Sequence, residues 1–105
     1  MRVLFDQGAP VPLRAALTGH TVFTAYEMGW SALSNGDLLD AAEGQFDAFV
    51  TTDKSLRYQQ NLAGRRLAIL VLPFASWPKL QSHVATIAAA VNGLKPGDYL
   101  ELAWP

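Results

Sequence analysis

The chain has 105 residues, half of them hydrophobic and 16% charged, with a formal net charge of -1 and no cysteine. That balance fits one compact domain and argues against a disordered chain, a disulfide scaffold or a thiolate metal site. The near-neutral charge offers no global attraction to nucleic acid or anionic membranes, so a polyanion would have to meet a local cluster of bases.

Val3 to Phe5 is a short apolar run closed by Asp6, Gln7, Gly8 and two prolines, Pro10 and Pro12, which reads as a buried strand delivering a loop. The opening MRVLFD is too short an apolar run for a signal peptide, and no stretch approaches the roughly 18 apolar residues of a spanning helix. The expectation is a soluble, cytoplasmic protein without a membrane partner. Leu13 to Leu17 reads as a short helix ended at Gly19, and His20 to Ala25, rich in β-branched and aromatic residues, as a second strand.

In SNGDLLDAAEG, Ser34 stands as N-cap and Asp37 at the third helical position; Leu38, Leu39, Ala41 and Ala42 supply an apolar face, and Gly44 is the stop. Phe46 to Thr51 is a third strand. Lys54 to about Leu62 is polar and compatible with a helix ending at Gly64. Leu67 to Leu72 is an unbroken apolar run, suited to a central strand covered on both faces. Ser76 and Pro78 open a long helix with Leu80, Val84, Ile87 and Val91 at helical spacing, stopped by Asn92 and Gly93. After the turn KPGD, the alternation in YLELAW predicts a last, half-exposed strand.

Strands alternating with helices predict a parallel α/β sandwich, whose functional crevice lies outside the carboxyl ends of the strands. Asp6 follows the first strand and Asp53 the third. Carboxylates gathered at such an edge repel one another and lose hydration unless a cation neutralises them, and oxygen-only ligands suit Mg²⁺ or Mn²⁺ and phosphate chemistry. Each acid also has a plain alternative: an Asx turn for Asp6, an N-cap for Asp53, a capping box with Ser34 for Asp37, and an exposed loop position for Glu27. Ser55 offers a competing cap to Asp53. Lys54, Arg57, Arg65 and Arg66 fall within thirteen residues after Asp53, interleaved with amides and Tyr58. Such a strip is either a solvated helix face or a seat for a single-stranded RNA backbone. His20 and His83 have no partner nearby in sequence, and no glycine-rich phosphate loop occurs.

RVLFDQGAP, LTGHTVFTAYEMGW, LSNGDLLDAAEGQFDAFVTTDKSLRYQQNL and RRLAILVL, in that order and at these distances, resemble the short PIN-like family of bacterial proteins grouped with toxin and antitoxin systems. The likeness covers about residues 1 to 75 and is most distinctive in the apolar strand ending in threonine, any residue, aspartate. It implies a single PIN-like domain over residues 1 to 105. The expected fold is a three-layer sandwich around a central, mostly parallel sheet of about four to five strands. The implied activity is a ribonuclease dependent on Mg²⁺ or Mn²⁺, acting on RNA as the toxin of a pair, with a cognate antitoxin or a second copy of the chain as partner. Carried over by position, Asp6, Asp37 and Asp53 are the catalytic and metal-holding acids; Glu27, without a secure counterpart in the family, is a candidate fourth member because it follows the second strand within reach of the same crevice. Lys54, Arg57, Arg65 and Arg66 would meet phosphate.

The chain departs from the family where many relatives carry D-x-D-F, because here the run is Asp53, Lys54, Ser55, Leu56. The missing second acid favours a rival reading, a catalytically weak or inactive PIN-like binding module. A phosphorelay receiver is a third reading, raised by Asp6, Asp53 and the pair Lys95 and Pro96. Against it, Asp6 stands alone and KPGD precedes a strand.

Overall fold

The computed structural model describes residues 1–104. Five short strands form one sheet in the order 2-1-3-4-5 and every neighbouring pair is parallel. They are β1 (Arg2–Phe5), β2 (Thr21–Thr24), β3 (Ala48–Thr51), β4 (Ala68–Val71) and β5 (Tyr99–Glu101). The central three are covered on both faces, which is why their sequences are continuous apolar runs.

Alternation of side chains sorts each strand between two cores. Val3, Phe5, Val50 and Leu70 face Leu13, Leu17, Leu80, Ile87 and Val91; Leu4, Phe49 and Ile69 face Leu38, Leu39, Ala42 and Leu56. The second group comes from helices α1 (Asn35–Glu43) and α2 (Leu56–Gln59); the first comes from a 3₁₀ turn at Val11–Ala16 and from α3 (Trp77–Leu80) and α4 (Val84–Asn92). The result is a three-layer α/β domain, and the sheet is wholly parallel. The β1-to-β2 and β4-to-β5 connections share one face while stepping in opposite directions, so these two crossovers have opposite hands. Among the described residues no helix is long and apolar enough to cross a membrane.

Four expected elements differ in form or extent. The helix expected over Leu13 to Leu17 is the 3₁₀ turn, entered through Pro10 and Pro12. Only Leu56–Gln59 of the Lys54 to Leu62 segment is helical, anchored by the buried Leu56. The long helix after Ser76 breaks at Gln81–His83; His83 leaves helical geometry at φ -118, ψ 17, and its ring stacks on Trp104 at 4.2 Å. Trp104 and Leu102, expected in the last strand, lie beyond β5 and pack on the core there.

Candidate functional site at the carboxyl edge of the sheet

In the order 2-1-3-4-5 the chain leaves β1 toward one side of the sheet and β3 toward the other, so the loops part at the β1–β3 seam. Asp6 and Asp53 stand at this seam. Asp6 is only 9% exposed. Its Oδ1 accepts from the amides of Gly8 at 2.9 Å and Ala9 at 3.1 Å, and its Oδ2 accepts from the Thr51 hydroxyl. The bond to Gly8 is the Asx turn that the sequence offered as the plain alternative. Burial pushes the Asp6 carboxyl above its ordinary value; the bonds from Thr51, Ala9 and Gly8 oppose this, and the nearby Asp53 charge adds a smaller upward push.

Thr51 is fully buried and links the two acids. Its Oγ1 donates to Asp6 and accepts from the Asp53 amide at 3.0 Å. The Asp53 carboxylate in turn accepts from the Ser55 amide at 3.0 Å and the Ser55 hydroxyl at 2.6 Å on Oδ1, and from Asn35 Nδ2 at 2.7 Å on Oδ2. Ser55 occupies the N-cap position of α2 without making a side-chain cap bond, because its hydroxyl is turned to Asp53. Where many members of the resembled family have a second acid, this chain therefore places a donor. Gly8 allows the loops to meet: a Cβ there would lie 2.3 Å from Thr52 Oγ1, too close for any side chain.

The remaining expected site residues divide. Asp37 is at the third position of α1 as expected, but it is exposed and its amide donates to Ser34 Oγ at 3.3 Å. It is Asn35, at the start of α1, that reaches Asp53. Among the described residues no three acids or histidines are grouped closely enough to hold one ion, so the expected trio of Asp6, Asp37 and Asp53 is not assembled. Glu27 pairs with Arg14 through both oxygens, at 2.8 and 3.1 Å, and caps its own loop by accepting from the Thr24 amide. The Arg14 bonds, with the amide bond second, hold its carboxyl below the usual range. Glu27 and Asp6 line the same cavity of about 470 Å³ between the β1 and β2 loops.

The expected basic strip is split by the sheet. Lys54 is exposed beside Asp53, and Arg57 lies near it, its guanidinium bonded to Tyr58 Oη at 2.7 Å and 4.8 Å from that ring. Arg65 and Arg66 immediately precede β4 and so belong to the opposite, amino edge, where Arg65 pairs with Asp40 at 2.7 Å and Arg66 lines a different cavity. Their closeness to Asp53 in sequence is undone by α2, which carries the chain back across the sheet. Lys95 also lies at that amino edge, which removes the lysine a receiver would need beside Asp6 and Asp53.

Asn35 is the site residue with no functional place in the sequence reading; Thr51 stood there only as the end of the strand motif, and Ser55 as a competing cap and the position of the missing second acid, not as partners of the acids. The threonine had a signal, since a polar residue ending a buried strand needs a partner; Asn35 had none, being read as part of the cap. Comparisons of the chain with protein-family models, curated proteins and solved structures return no match. Its architecture is that of an α/β domain with a five-stranded, all-parallel sheet.

Proposed function

We propose that the chain is a PIN-like domain that binds a divalent cation, Mg²⁺ or Mn²⁺, at Asp6 and Asp53 and hydrolyses RNA phosphodiester bonds, acting in the cytoplasm as the toxin of a toxin and antitoxin pair. The observation that carries this reading is the Thr51-bridged pair of carboxylates at the β1–β3 seam, where α/β sheets bind ligands. The donor set fits the chemistry of the ion. Mg²⁺ keeps several waters and is commonly held by one or two carboxylates together with substrate phosphate, so two acids suffice for one ion, and the oxygen-only set suits it.

Bound there, the cation would polarise the phosphodiester and lower the pKa of a water. Asp6 and Asp53 supply the ligating oxygens, and Thr51 fixes their spacing. Asn35 and Ser55 orient the Asp53 carboxylate. Lys54, exposed beside the pair, meets the phosphate as a point charge. RNA cleavage by the pure protein in Mn²⁺, absent in EDTA and in Asp53→Ala, is the expected result. Equal cleavage by the variant, or none by either, removes the enzymatic reading.

A second reading, a PIN-like module that binds protein partners without catalysis, draws on one specific observation. Three donors from Asn35 and Ser55 already satisfy Asp53, while Asp37 stands apart. No heat with Mn²⁺, alongside tight association with an antitoxin or with itself, is what this reading predicts.

A further inference from the structure

We propose that the cavity beside Asp6 is a nucleobase pocket, holding the base of the nucleotide next to the phosphate that Asp6 and Asp53 would receive; this rests on the nuclease reading above. The cavity measures about 470 Å³, within the roughly 300–1,000 Å³ of small-molecule sites, and Asp6 forms part of its wall. An occupant therefore lies directly against Asp6, one member of the acid pair. Its apolar lining comes from Ala9, Val11, Ala25 and Tyr26. Tyr26, on the loop after β2, is 80% exposed and Val11, opening the 3₁₀ turn, 54% exposed, so the aromatic ring contributes little to the core and is free to stack. Exposed aromatic side chains beside a phosphate site are how single-stranded nucleic acids are held without regard to sequence.

The polar groups of the wall are engaged with one another. Arg14 and Glu27 are joined by two bonds, and Gln7 Nε2 donates to the Ser31 carbonyl. These bonds hold the wall's side chains in fixed positions, and its orphaned donor, Arg14 Nε, is buried away from solvent. Stacking on Tyr26 rather than pairing to a base edge would therefore hold the occupant, and the pocket accepts purines and pyrimidines alike. The internally neutral Arg14–Glu27 pair also suits an uncharged base better than the charged side chain of a protein partner.

Titration of the ¹⁵N-labelled protein in EDTA with AMP, UMP and ribose 5-phosphate tests this without metal. Both nucleotides are expected to shift the amides of Ala9, Val11, Ala25 and Tyr26, and ribose 5-phosphate is not. Tyr26→Ala should weaken both nucleotides about ten-fold, and Tyr26→Phe should restore them. Shifts mapping elsewhere, equal binding of ribose 5-phosphate, or an unchanged affinity in Tyr26→Ala overturns the pocket. The absence of any shift does so too, and leaves the cavity to a protein side chain. Nucleotide binding here without Mn²⁺-dependent RNA cleavage keeps the pocket and removes the nuclease; cleavage without these shifts does the reverse.

Discussion

The amino edge of the sheet and the β1–β3 seam at its carboxyl edge treat charge in opposite ways, although elsewhere on the carboxyl edge Glu27 pairs with Arg14 and Glu101 with Arg57. At the amino edge, acids meet bases or exposed amides: Asp40 pairs with Arg65, Asp47 accepts from the Arg2 amide, and Glu43 accepts from the amide of Arg66. At the carboxyl edge two carboxylates lie close together, and among the described residues no salt bridge reaches either Asp6 or Asp53. Both are held by neutral donors alone. The amino edge balances its charge, as an arrangement that serves stability would; on the proposed reading, the acid buried next to another acid at the seam is held ready for a cation.

Substitutions at the two edges sharpen this contrast. Thr51→Val removes a fully buried hydroxyl, stranding an Asp6 oxygen and the Asp53 amide, and is expected to cost about 2–3 kcal/mol in urea unfolding. Ser55→Asp replaces a donor to Asp53 with a third carboxylate and should raise Mn²⁺ affinity about ten-fold by added ligand charge, measured by calorimetry. An unchanged affinity would show that the loop after β3 does not face the ion.

Asp6→Asn should stabilise the metal-free protein at pH 7 by less than about 1 kcal/mol, since it removes a buried charge and keeps an acceptor for Gly8 and Ala9, while the amide it places against the Thr51 hydroxyl cannot accept that bond and offsets part of the gain. The sign follows from linkage. Because the folded pKa lies above the ordinary 3.8, the folded state holds the Asp6 proton more tightly than the unfolded chain. The stability contributed by this group is full below that ordinary value and is lost as pH rises through the folded pKa. The gap between variant and wild type should therefore narrow as pH falls through the same range, seen as converging urea midpoints. At the amino edge, Arg66→Ala should change stability by less than about 0.5 kcal/mol and leave RNA binding unaltered.

The strands were legible because burial on two faces writes continuous apolar runs such as LAILVL, and with them came the positions of Asp6 and Asp53 at strand ends. The order of the strands is not written locally, so the sequence distance from Asp53 to Arg65 and Arg66 misled: a short helix turns nearness in sequence into opposite edges. The exchange of Asn35 for Asp37 has a similar cause. Two residues on a helix differ by about 200° in direction, and which one faces Asp53 is fixed by how Leu38, Leu39 and Ala42 dock α1 on the sheet. The break at His83 coincides with the stacking of its ring on Trp104, twenty-one positions further along the chain, a contact that no helical period near His83 could show.

On the proposed reading the acid pair at the β1–β3 seam is a cation site, and the nuclease activity depends on it. Calorimetric titration of Mn²⁺ into the wild-type protein and into Asp53→Asn tests it without requiring turnover. One ion bound per wild-type chain, with binding lost in the variant, is the predicted result. Equal heats from both proteins, or none from the wild type, would contradict it.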